Sequence, residues 1–110
     1  MIMRNSIKVD IGSLVWTIKK VPKGSKHLIH EDGDTCYCIC DPETLTIYVQ
    51  GTELNSQLYK AYLIHEITHA FVFSVFHNKR SFNEEDLCYF MQHQGPEILE
   101  IATYIWKELF

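Results

Sequence analysis

"SQLYKAYLIHEITHAFVFSVFH", residues 56 to 77, is the stretch whose reading decides the fold. It contains no Pro or Gly, and Asn55 or Ser56 can cap its start, so residues from about 55 to 77 are expected to form one long helix. Leu63, Ile64, Ile67, Ala70, Phe71, Val72, Val75 and Phe76 leave only a narrow polar strip, which predicts a helix buried on most sides. Three polar groups interrupt that apolar surface: His65, Glu66 and His69. An unpaired carboxylate among apolar neighbours is costly, and two imidazoles add further polar groups to be satisfied.

Upstream of this helix the period of the pattern is two. "SIKVDI" alternates Ile7, Val9 and Ile11 with polar residues, Gly12-Ser13 follows, and "LVWTIKKV" resumes with Leu14, Trp16 and Ile18 on one face, a hairpin signal. A polar connection punctuated by Pro22, Gly24 and Gly33 leads to "TCYCIC", a turn at "DPET", and "LTIYVQG", a second hairpin. Strands therefore occupy about residues 6–50, and a small antiparallel sheet is their economical assembly. Downstream, "SFNEEDLCYFMQHQ" starts with Ser81 as a plausible cap, with Glu84 as its capping-box partner. Gly95-Pro96 then interrupts, and Pro96 suits the first turn of a last helix, "PEILEIATYIWKELF", which packs through Ile98, Ile101, Ala102, Ile105 and Leu109. Two C-terminal helices over about residues 82–110 are expected. The order of elements implies an α+β domain spanning residues 1–110, with helices on one face of the sheet.

Composition narrows the function classes. A chain of 110 residues is one domain, and its net charge of −4 with no basic stripe gives no support to nucleic-acid binding. No stretch approaches the roughly 18 apolar residues of a membrane span, and "MIMRNSIKVD" turns polar too early for a signal peptide, so the expectation is a cytoplasmic protein without membrane contact. Cys36, Cys38 and Cys40 alternate along a strand, about 7 Å apart on a face, too far for an unstrained disulfide. Three thiolates along one strand do not converge on a metal either, so these cysteines and Cys88 are expected to be reduced and to pack as small apolar residues.

His65, Glu66 and His69 have the spacing H-E-x-x-H. On a helix, positions i and i+4 share a face one turn apart, so both imidazoles converge on one point, as zinc needs. Glu66 is rotated about 100° from the first histidine and serves as general base toward a water at the metal. A catalytic site wants a third protein ligand, and Glu84 and Glu85 are the candidates. Glu84 shares a face with Leu87, Cys88 and Met91, the side expected to pack inward, and so is favoured as ligand. Glu85 and Asp86 are accounted for by first-turn chemistry. His27 and His30 lie in a polar loop and are expected to be solvent-exposed, while His77 and His93 are read as helix-terminal. His93 or Tyr89 is a weaker candidate for stabilising an oxyanion.

"LIHEITHAFVF" followed by "NEEDLCYFM" resembles the gluzincin-type zinc metallopeptidases, and more closely short phage- and mobile-element-encoded proteins related to the ImmA/IrrE metallopeptidase group. The resemblance covers residues 45–110. It implies a small sheet, an active-site helix, and a following helix whose glutamate, in a pattern like E-x-x-A-N-x-F-A, is the third ligand. Phe90 and Met91 match the end of that pattern, its glutamate falls on Glu84, and Cys88 stands where the pattern has Asn. The expectation is a zincin-like metallopeptidase with Zn2+ on His65, His69 and Glu84, and Glu66 as base. Its substrate is a protein or peptide, aligned along an exposed strand edge such as "LTIYVQG". The alternative is a non-catalytic metal-binding regulatory or interaction module.

Overall fold

The computed structural model of the protein describes residues 5–51, 56–76 and 83–110. The elements are β1 (Ser6–Ile11), β2 (Leu14–Val21), β3 (Cys38–Asp41), β4 (Thr46–Gln50), α1 (Ser56–Phe76) and α2 (Glu84–Leu109). The class is α+β, as the change of period at Gly51 implied. Asn55, His77 and Ser81, read as cap or terminal residues, lie outside the described residues, as does the strip of chain between the two helices.

The sheet is mixed rather than antiparallel, in the order β1-β2-β4-β3. β1 pairs antiparallel with β2, and β3 with β4, but β2 and β4 run parallel. The cause is burial. β4 has Ile47 and Val49 fully buried on the helix side, and Thr46 and Gln50 buried as well. Such a strand belongs inside the sheet, and β3, half-exposed and only four residues long, is left at the edge. "LTIYVQG" is therefore not an available edge; that position falls to "CICD".

Registers Ile7 to Ile18, Ile18 to Ile47 and Cys38 to Val49 line up one apolar face. Against it pack Leu63, Ile67, Ala70 and Phe71 of α1 and Ile98, Ile101, Ala102, Ile105 and Leu109 of α2. The last five are the residues whose spacing predicted a packing face.

Two hydrogen bonds fix the ends of α1 to the sheet. Near its start, Tyr59 Oη donates to the carbonyl of Gln50 at 2.6 Å. Near its end, Trp16 Nε1 donates to Ser74 Oγ at 3.0 Å. There the β1–β2 turn comes so close that a Cβ on Gly12 would lie 2.8 Å from that of Ser74, and Gly12 also has φ of +63°. Glycine is required on both counts.

The expected break at Gly95-Pro96 is absent: α2 runs unbroken through Pro96. Proline disfavours helical backbone in the preceding residue partly through that residue's Cβ, and Gly95 has none. The start of α2 also differs. Asn83 is the cap, accepting from Asp86 N–H at 2.8 Å, while Asp86 accepts from Asn83 N–H in return. At the other end, Lys20 Nζ donates to the Leu109 carbonyl at 2.8 Å and lies over the Phe110 ring. No helix among the described residues is long and apolar enough to cross a membrane.

Candidate metal centre

The middle of α1 brings His65 and His69 together. Their Nε2 atoms lie 3.2 Å apart, with the rings edge-on at 72°. Two imidazole nitrogens approach so closely only when one carries a proton shared with the other's lone pair or when a cation lies between them. Tetrahedral zinc at ordinary Zn–N lengths separates two nitrogen ligands by about 3.3 Å. The pair fits that requirement. Burial and the neighbouring His65 both lower the pKa of His69, favouring the neutral ring that a metal ligand must be.

Both histidines are exposed, contrary to the expectation of a helix buried on most sides. The long apolar run is split between two faces: Leu63, Ile67, Ala70 and Phe71 are buried, whereas Leu58 and Val75 are exposed. The desolvation argument therefore holds most strongly for Glu66, with His69 only partly withdrawn from water. Glu66 is 9% exposed. Burial pushes its carboxyl up to about 7, and a hydrogen bond from Cys40 N–H opposes the rise. That bond, 3.2 Å to Oε1, comes from the edge strand. The ligand atoms of His65, Glu66 and His69 all lie within 4.8 Å of one another.

Glu84 is not part of this close group. It is the first residue of α2, exposed, and it lines a cavity of about 300 Å³ with Thr68, Val72, Asn83, Leu87 and Phe90. Thr68 and Val72 follow His65 and His69 by three residues each, so they are surface neighbours of the imidazoles on the side facing α2. Periodicity predicted that Glu84 turns toward α1, and it shares the cavity wall. It also predicted burial of that face, whereas Leu87 is 55% and Met91 50% exposed, and Cys88 is exposed too. On α2 the core reaches back as far as Phe90, which is buried, and the flanking Leu87 and Met91 lie outside it. The capping box is made by Asn83 and Asp86, so Glu84 is not engaged in capping. Glu85 is exposed on the adjoining side of the same turn.

Of the weaker candidates, Tyr89 and His93 make a tilted ring contact, centroids 4.7 Å apart, on the exposed side of α2, outside the group. His93 is interior to α2 because the helix does not stop at Gly95. His27 is exposed, as read, and stacks on Tyr48 at 4.3 Å; His30 is exposed as well. Cys36, Cys38 and Cys40 are free thiols. Burial, with the Glu66 charge second, pushes Cys38 and Cys40 up to about 12 and raises Cys36. They are protonated, unreactive groups at neutral pH.

Two features had no signal in the sequence. The Cys40 N–H is a backbone group whose role depends on which strand is at the edge. Tyr62, one turn before Glu66, stacks on Tyr37 at 5.2 Å and ties α1 to the approach of β3. No known protein family, curated protein or solved structure matches the chain.

Proposed function

We propose that the chain is a minimal zinc-dependent metallopeptidase of zincin-like architecture, acting on a protein or peptide substrate. The observation that carries this reading is the 3.2 Å approach of His65 Nε2 and His69 Nε2 beside a carboxylate that is buried and tethered. His65 and His69 would hold the ion, with Glu84 as third ligand from the start of α2. Zinc bound there would supply Lewis acidity for the substrate carbonyl and acidify a water.

Glu66 is suited to the proton transfers. Its carboxyl, grouped with the two imidazoles, would take a proton from the attacking water and pass it to the leaving amine. Tethering of Oε1 by Cys40 N–H restricts the side chain and leaves Oε2 as the more available oxygen. An extended peptide could lie along β3, where Cys38 and the Cys40 carbonyl face away from β4 while the Cys40 N–H is held by Glu66. Four free cysteines suit a reducing compartment, and a cytoplasmic setting is part of the proposal.

A second reading, a metal-binding regulatory module without turnover, is favoured by the separation of Glu84 from the close group. Two measurements decide between them. Mass spectrometry of tag-free protein should find about one zinc per chain, lost in His65→Ala. Peptide-library cleavage should then be present in the wild type and abolished in Glu66→Gln with zinc retained. Full activity in metal-loaded Glu66→Gln refutes the mechanism, and zinc without cleavage supports the second reading.

A further inference from the structure

β1 is an open edge of the sheet. Its register with β2 is continuous from Ser6 to Ile11, with no bulge or proline to blunt it. The Lys20 N–H donates to the Asn5 carbonyl at 2.7 Å. Alternation from there turns the backbone groups of Ile7, Val9 and Ile11 toward β2 and those of Ser6, Lys8 and Asp10 outward. Among the described residues, no backbone hydrogen bond reaches these outward groups. The opposite edge is more closed: β3 is shorter, and its Cys40 N–H is held by Glu66. The outward groups of β1 carry charges with no counterpart across the strand. Lys8 and Asp10 are exposed, and opposite them on β2 stand Thr17 and Val15. Val9, between them, is half-buried on the helix side.

We propose that β1 pairs with β1 of a second copy of this chain, antiparallel, about a two-fold axis at Val9. In this register Lys8 of each copy lies opposite Asp10 of the other. Each pair exchanges N–H and carbonyl groups that both face outward, and each charge meets an opposite one. The two Val9 side chains meet at the axis, in a pair of the kind whose side chains approach closest. Sliding the strands by two residues either way puts Lys8 against Lys8 or Asp10 against Asp10, and like charges directly opposite are destabilising. A slip of one residue sets the outward groups against groups already bonded to β2. An edge lysine ordinarily guards against pairing, and Asp10 offsets Lys8 only in the register centred on Val9. The product is a continuous sheet in the order β3-β4-β2-β1-β1-β2-β4-β3, with the strand that holds Glu66 at each outer end. The association is therefore independent of any metal at His65 and His69. A single strand pair is a small interface, so the dimer is weak and reversible.

Analytical ultracentrifugation of the full chain across a dilution series is the test. The wild type should pass from dimer to monomer on dilution. Lys8→Glu and Asp10→Lys each set like charges opposite one another on both sides of the axis, and each should weaken self-association at least about tenfold. Both side chains are exposed, so the melting temperature of each variant at low concentration should match that of the wild type. In an equimolar mixture of the two variants every charge again faces an opposite one, and dimers should re-form within about threefold of the wild-type affinity. A wild-type chain that is still monomeric at about 1 mM overturns the proposal. A dimer that both variants leave intact overturns it too, because its contact lies on another surface. So does a mixture of the two variants that associates no better than either alone.

Discussion

Cys40 N–H donates to Glu66 Oε1 at 3.2 Å, joining the edge strand to the middle of α1. Alternation along the strand accounts for it. Tyr37 turns its carbonyl toward Gln50 of β4, so Ile39 and Asp41 also face β4 while Cys38 and Cys40 face outward. The outward N–H finds a carboxylate where an edge strand usually finds water, and the buried Glu66 is satisfied without a cationic partner.

Glu66→Gln should stabilise the metal-free protein at alkaline pH. The folded-state pKa, about 7, is above the ordinary carboxyl value of 4.5. The protonated carboxyl is thus the form the fold prefers. Its contribution is fully present below pH 4.5 and is lost as pH rises through 7. The shift corresponds to about 3 kcal/mol. Urea denaturation at pH 4 and pH 8 should show a growing advantage for the variant, and a constant difference would contradict the assignment.

Zinc should raise the melting temperature of the wild type and leave His65→Ala unmoved. At a hundredfold excess over the dissociation constant the gain is about 2.7 kcal/mol, or roughly 10–20 °C for a domain of this size. Because His65 is exposed, the substitution itself should cost little stability. Calorimetric scans with zinc and with EDTA measure both effects.

Glu84→Gln and Glu85→Gln separate ligand from helix-start chemistry. Both remove a charge from the first turn of α2 and should lose a similar few tenths of a kcal/mol of stability. Only Glu84→Gln should weaken zinc binding, by at least about tenfold. Competition with a chelating dye reads the difference, and equal affinities would remove Glu84 from the ligand set.

Gly12→Ala should destabilise the fold by about 2 kcal/mol or more. The positive φ disfavours any side chain, and the new Cβ meets Ser74 at 2.8 Å. The same variant should weaken zinc affinity less than tenfold, since Ser74 is more than one turn beyond His69. Guanidinium denaturation and zinc titration of one preparation give both values.

Local features of the sequence were the legible ones. Alternation and short turns predicted β1 beside β2 and β3 beside β4, and 3.6-residue spacing predicted the packing face of α2. What failed depended on assembly. No local signal says that β4 inserts between β2 and β3, because that choice is made by which strand can be buried on both faces. Helical periodicity likewise gives the direction of Glu84 and Leu87 but not where the core ends along the helix. In the close group, His65, Glu66 and His69 were readable from spacing alone. The Cys40 donor was not, since any residue there would offer the same N–H.

The attachment of α1 at Tyr59 and at Ser74 has a mechanical consequence. A rod supported near both ends resists sliding and rolling along its whole span, and the two histidines are in the middle of that span. Capture of an ion between them then requires little more than rotation about side-chain bonds, without displacement of the backbone. Association should accordingly be fast, and the backbone amide spectrum of α1 between Tyr59 and Ser74 should shift only at residues next to the bound ion.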